Sequence, residues 1–99
     1  MVPYMRAEQL FYRKEIHKDE SVTEIKLWGV PVSFQYPFGV RYSFYWVKGQ
    51  EILVGYDNHF SKGPHRHYGD LELKYEFVSV EKLFEDFGND KKRILYEGS

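Results

Sequence analysis

The stretch VRYSFYWVKGQEILVGY, residues 40 to 56, decides the fold class. From 40 to 46 every second position is aromatic or apolar, and this period of two is typical of a β-strand with one buried face. Those positions are Val40, Tyr42, Phe44 and Trp46. A short KGQ turn then leads into the apolar run 51–56. The stretch therefore predicts two antiparallel strands joined by a tight turn.

The same alternation recurs in 6–16, 22–29 and 71–78, and each of these segments is predicted to be a strand. The period changes in 79–88, where apolar residues recur at helical spacing. They are Val80, Leu83, Phe84 and Phe87. Ser79 is a suitable N-cap for this helix, and Gly88 a suitable C-terminal cap.

These patterns predict an α+β fold, an antiparallel meander of about five strands with one C-terminal helix packed on one face. Residues 1–99 form a single domain in this interpretation, with 89–99 as a tail. Leu10, Tyr12 and Ile16 fall on one face of the first strand, which is predicted to be half-buried. The predicted core comprises Ile25, Leu27, Phe44, Trp46, Leu53, Phe77, Leu83, Phe84 and Phe87.

Composition limits the classes of function. The 99 residues carry a formal net charge of −1, so nucleic acid would have to be bound by a local basic patch. The absence of cysteine excludes disulfides and thiolate zinc sites. No signal peptide or spanning segment is recognisable, which predicts a cytoplasmic protein. Aromatic residues make up 19% of the chain, and this excess predicts a homodimer or a protein-binding surface on 31–39 and 40–48.

Residues 57–67, DNHFSKGPHRH, concentrate the ionisable chemistry, including three of the four histidines. Metal-independent cleavage of RNA needs a base, an acid and positive charge near the phosphate, and histidine can serve as either proton carrier. His65 and His67 are the acid–base candidates, and Asp57 is the candidate for orienting them. Lys62 and Arg66 would contact the phosphate. The predicted binding residues are Lys62, Arg66, Asn58, His59 and Tyr68, and no cofactor is expected.

Other interpretations of this segment remain open. His65, His67 and Glu72 partly imitate the HxHx4E metal motif of cupins, although His59 stands where that motif has glycine. A non-haem metal site of that kind would use two imidazoles and a carboxylate. The segment could equally be a solvated loop or a non-enzymatic protein- or anion-binding site. In a plain turn, Asp57 and Asn58 would bind their own backbone.

The chain resembles the TumE-like family of small prokaryotic proteins, formerly a domain of unknown function. The resemblance rests on Tyr56-Asp57-Asn58, on the Lys62–His67 block KGPHRH, on Tyr75-Glu76-Phe77 and on the helix Val80–Phe87. The segment MRAEQLFYRKEI is also similar to the family's opening strand, so the likeness spans about residues 5 to 88.

The resemblance implies the toxin of a type II toxin–antitoxin pair, with a small helix-turn-helix DNA-binding protein as its antitoxin. Toxins of this size commonly cleave mRNA or block translation by other means. An endoribonuclease with RNA as substrate is therefore the leading hypothesis, and a binding module without enzymatic activity is the alternative.

Overall fold

The computed structural model describes residues 7–59 and 62–97 as a six-stranded sheet with one helix. The strands are β1 (Glu8–Ile16), β2 (Val22–Gly29), β3 (Val40–Lys48), β4 (Glu51–Asp57), β5 (His65–Tyr68) and β6 (Leu71–Lys74), and the helix is α1 (Val80–Glu97). Each strand pairs antiparallel with the next in the order β1-β2-β3-β4-β5-β6. The predicted α+β meander with a C-terminal helix is confirmed, with six strands instead of five.

The alternation in β3 produces the core as the sequence predicts. Phe44 is completely buried, pairs with Ile25 on β2 and Tyr56 on β4, and contacts Phe84 and Phe87 of α1. The buried core comprises Ile25, Leu27, Tyr42, Phe44, Trp46, Val54, Tyr56, Leu83 and Phe87. The other predicted core residues, Leu53, Phe77 and Phe84, are partly buried against it.

The predicted buried face of the first strand is wrong. Leu10, Tyr12 and Ile16 are 53%, 47% and 74% exposed. The register shifts between Gln9 and Phe11, and the Phe11 ring packs edge-on against a helix ring at 5.6 Å. A β-bulge changes which residues face the core, and the sequence pattern does not reveal it.

Strand β5 lies within the segment that the sequence predicts to be a loop, and the strand predicted at 71–78 ends at Lys74. His65, Arg66, His67 and Tyr68 have no apolar side on which a period of two could be recognised. They become a strand because β4 and β6 supply hydrogen-bonding partners on both sides.

The helix begins where predicted and ends nine residues later. Ser79 Oγ accepts a hydrogen bond from the backbone N–H of Lys82 at 3.0 Å, as an N-cap does. Gly88 does not end the helix, which continues through most of the predicted tail to Glu97. Asp90 explains the extension, because its carboxylate accepts hydrogen bonds from the hydroxyls of Tyr56 and Tyr68 on the sheet.

The helix leaves the opposite face of the sheet open, and this face is called the open face below. It carries Glu24 and Lys26 of β2 and Tyr45 of β3, whose neighbours in sequence point into the core. Within the described ranges, no helix combines the length and apolarity needed to span a membrane.

Candidate functional site

The candidate site lies on the open face where β3, β4 and β5 run side by side. Asp57 of β4 lies between Ser43 and His65 in the register, and Gly55 lies between Tyr45 and His67. Because alternate residues of a strand share a face, Asp57, His65 and His67 project to the same side of the sheet. We call Tyr45, Asp57, His65 and His67 the open-face cluster.

The Asp57 carboxylate is the centre of this cluster, and its side chain is 15% exposed. Oδ1 accepts a hydrogen bond from the backbone N–H of His59 at 3.0 Å and lies 3.2 Å from Nε2 of His65. Oδ2 accepts a hydrogen bond from the Tyr45 hydroxyl and lies 3.8 Å from Nε2 of His67. Both imidazoles therefore converge on one nearly buried carboxylate.

His65 is held between two hydrogen-bond acceptors. Its Nδ1 lies 2.8 Å from the carbonyl oxygen of Gly63, which can only accept, so Nδ1 carries a proton. Its Nε2 faces Asp57 Oδ1, and this contact is a hydrogen bond only if Nε2 also carries a proton. The ring is buried, and each of its nitrogens has an acceptor within hydrogen-bond distance.

The surroundings of His67 differ from those of His65. Burial and then the positive charge of His65 lower the pKa of His67 below its usual 6.5, and the charges of Asp57 and Glu72 oppose this only partly. Its ring centroid lies 4.8 Å from that of His65. The two imidazoles are thus neighbours with different surroundings. Both nitrogens of His65 face acceptors, whereas the lowered pKa of His67 favours the neutral form that can accept a proton.

Tyr45 reaches Asp57 by lying across a glycine. A Cβ on Gly55 would stand 2.3 Å from Cε1 of Tyr45 and 2.6 Å from its Cδ1, so only glycine leaves room for the ring. Burial and the hydrogen bond to Asp57 raise the pKa of the Tyr45 hydroxyl, which therefore stays a donor. Tyr45 is absent from the sequence prediction; the isolated glycine in strand 51–56 is a signal that could have indicated this close approach.

Lys62 lies beside the cluster. Its Nζ is 3.2 Å from Glu72 Oε1, and Glu72 pairs with His67 across β5 and β6. The Lys62 side chain is 60% exposed, so its ammonium is available on the rim of the site. His59 is exposed on the other rim and contributes its backbone N–H to Asp57.

The structure does not bring Arg66 and Tyr68 to the cluster. They alternate with His65 and His67 and therefore project to the helix side. There Nη1 of Arg66 lies 3.4 Å from the Tyr56 hydroxyl, and its guanidinium lies 5.6 Å from the Tyr68 ring centroid. These contacts join Arg66 to β4 and β5 on the helix side of the sheet and give it no access to a phosphate on the open face.

Asn58 also has a structural environment. It is buried, its Oδ1 accepts a hydrogen bond from the backbone N–H of Tyr42, and its Nδ2 donates to the carbonyl of Val40, both at 2.9 Å. The side chain replaces a strand partner at the point where β4 has ended.

The cluster also has the composition of a metal site. The ligand atoms of Asp57, His65 and His67 all lie within 4.8 Å of one another, so these residues could hold a divalent cation. The cation would take the place of the proton between His65 and Asp57. Glu72, the carboxylate of the cupin-like interpretation, is paired with Lys62 and is not part of this group.

A family model described as Toxin TumE matches residues 2–95, nearly the whole chain. No curated protein and no solved structure matches the sequence.

Proposed function

Because the chain belongs to the TumE toxin family, we propose that it is the toxin of a type II toxin–antitoxin pair and acts in the cytoplasm as a metal-independent endoribonuclease. One observation supports the activity above all: two imidazoles in different electrostatic environments converge on Asp57. The base and the acid of a proton-transfer reaction need this difference at a common pH.

In this mechanism neutral His67 removes the proton from the 2′-hydroxyl of RNA through Nε2. The 2′-oxygen forms a bond to phosphorus while the bond from phosphorus to the 5′-oxygen breaks. Asp57 holds the His65 ring until Nε2 turns from Asp57 Oδ1 to the leaving 5′-oxygen, which takes up its proton. The products are a 2′,3′-cyclic phosphate and a free 5′-hydroxyl. Lys62 stabilises the negative charge that accumulates on the phosphate oxygens.

The test uses purified protein and end-labelled RNA, with growth arrest on induced expression as a second readout. His67→Ala and His65→Gln should each lower the cleavage rate by about 10²- to 10⁴-fold, the usual contribution of a proton-transfer group. His17→Gln is the matched control, because His17 bonds Thr23 Oγ1 outside the cluster. All three variants should keep the circular dichroism spectrum of the wild type.

The alternative, a non-enzymatic protein- or anion-binding module, predicts another result. Growth arrest without cleavage of RNA by any active preparation would support it and refute the nuclease. The surface that best suits a protein partner is 30–39, where Val32, Phe34 and Phe38 are 73%, 99% and 61% exposed. We propose that a helix-turn-helix antitoxin binds there.

A homodimer could cover the same surface. Light scattering of the purified toxin, with and without its antitoxin, distinguishes the two arrangements. A monomer that keeps its antitoxin after Phe34→Ser would contradict both.

A further inference from the structure

A cavity of about 290 Å³ opens beside the open-face cluster and has no role in the mechanism above. It lies over the ends of β2 and β3 and is bounded on one side by Asp57, so it shares a wall with the candidate catalytic centre. The lining side chains that matter here are Trp28, Tyr36, Arg41, Ser43 and His59.

The walls of the cavity are aromatic and cationic. Trp28 and Arg41 are cross-strand partners, and the Arg41 guanidinium lies 4.5 Å from the centroid of the indole ring. Tyr36 comes from the loop before β3 and is held by three backbone hydrogen bonds. Its N–H donates to Ser33 Oγ at 3.1 Å, and its carbonyl oxygen accepts from the N–H groups of Gly39 at 2.9 Å and Ser33 at 3.2 Å. Trp28, Tyr36 and Arg41 are only half-buried, so their ring and guanidinium planes remain accessible.

The Arg41 guanidinium supplies a positive charge to the cavity wall. Among the residues that the structure describes, Arg41 forms no ion pair with a carboxylate, whereas Arg13 and Arg93 both do. Asp57 is the carboxylate in the cavity wall, and it already accepts hydrogen bonds from Tyr45 and His59. The cavity thus combines stacking surfaces with a guanidinium that is free to bind an anion or the edge of a base.

The distance from the cavity to Asp57 also suits a nucleotide next to the one that is cleaved. Arg41 and Ser43 lie on the same face of β3, about 6.6 Å apart at roughly 3.3 Å per strand residue. Ser43 pairs with Asp57, so a group held by Arg41 lies two residues along β3 from the position opposite the orienting carboxylate. We propose that this cavity binds an unpaired nucleobase of single-stranded RNA, stacked against Trp28 and held by Arg41. This inference rests on the proposed function, and it names the substrate class as unpaired RNA.

The binding test separates recognition from cleavage. The probe is a short single-stranded RNA with 2′-O-methyl groups, which lacks the hydroxyl that the mechanism needs and stays intact. Trp46 is buried in the core, so the emission that changes on binding should belong to Trp28. The oligonucleotide should quench this emission, and Trp28→Phe should abolish the quenching while keeping most of the affinity. Inorganic phosphate and the same sequence as a duplex should leave the emission unchanged, because neither offers an unpaired base.

Affinity is measured independently by the fluorescence anisotropy of a labelled oligonucleotide. Trp28→Ala and Arg41→Gln should each weaken binding about five- to hundred-fold, the usual effect of removing a stacking or cation–π partner of a base. Lys92→Gln is the matched control, because it removes one positive charge from an exposed position on α1. Its affinity should stay within about two-fold of the wild type at fixed salt.

The outcomes separate this proposal from the nuclease. If the oligonucleotide binds at Trp28 but RNA is never cleaved, the nuclease fails and the base-binding site stands. If RNA is cleaved and Trp28→Ala binds and cleaves like the wild type, the base-binding site is wrong and the nuclease stands. Quenching by phosphate alone, or equal binding of the duplex, would also overturn the proposal.

Discussion

Replacing Gly55 with alanine tests the geometry of the open-face cluster without touching its ionisable groups. The added Cβ would stand 2.3 Å from the Tyr45 ring, while ordinary carbon contacts begin near 3.5 Å. The ring must therefore retreat by about 1.2 Å, which pulls its hydroxyl away from Asp57. Overpacking costs about 1–3 kcal/mol and a lost hydrogen bond to a charged group about 1.5–3 kcal/mol. Since a ring that moves away relieves the first cost and incurs the second, we expect a loss of about 1.5–3 kcal/mol.

Denaturant unfolding of Gly55→Ala and of a matched control measures this loss. The control is Gly88→Ala, because a Cβ at Gly88 meets nothing within 4 Å and lies inside α1. Alanine there should raise the free energy of unfolding by about 0.5–1 kcal/mol. In a Tyr45→Ala background the cost of Gly55→Ala should disappear. A wild-type midpoint for Gly55→Ala, or a cost that persists without the Tyr45 ring, would show that the ring does not lie over Gly55.

Three further predictions concern the groups around Asp57. Asn58→Ala should lower the free energy of unfolding by about 2–4 kcal/mol, because it leaves the Tyr42 N–H and the Val40 carbonyl unpaired. At the exposed Asn89, the same replacement should change the free energy of unfolding by less than about 0.5 kcal/mol. Equal values for the two variants would refute the structural role of Asn58. Because the pKa of His67 is lowered in the folded protein, the unfolded chain binds more protons than the folded one just below pH 6.5, and stability should fall as the pH drops through that value. His67→Gln should remove this part of the pH dependence of stability. An unchanged pH profile in His67→Gln would contradict the pKa argument. Treatment with EDTA should leave RNA cleavage unchanged, whereas loss of cleavage together with one equivalent of metal in tag-free protein would replace acid–base catalysis with a metal centre at Asp57, His65 and His67.

The parts of the fold that the sequence predicts are those in which local pattern and tertiary burial agree. The β3–β4 hairpin and the start of α1 belong to this group, because their apolar spacing and the Ser79 cap act over a few residues. The continuation of α1 past Gly88 depends on Asp90 bonding to two tyrosines far away in sequence, and no helix-ending rule contains that information. Strand β5 was missed because both of its faces are polar or aromatic and hide the period of two.

The candidate site likewise has parts that the sequence predicts and parts that depend on the tertiary fold. The sequence predicts His65 and His67 as the acid–base pair, and the two rings lie together beside Asp57. The separation of Arg66 from them follows from the same alternation once 65–68 is known to be a strand. Gly55 signals a close approach to β4, but that Tyr45 is the approaching ring depends on the register of β3 against β4, which no short stretch of sequence specifies.

Because side chains alternate along β4 and β5, the C-terminal helix helps to fix the register of these strands. Tyr56 and Tyr68 bind Asp90 on one side of the sheet, while their neighbours Asp57 and His67 build the cluster on the other. A slip of one residue would exchange the two sets, putting tyrosines where the imidazoles belong. The hydrogen bonds to Asp90 therefore favour a single register of these short strands. A chain that ends at Gly88 would lose these hydrogen bonds. Its molecules should then divide among sheets with different registers of β4 and β5 before the hydrophobic core unfolds.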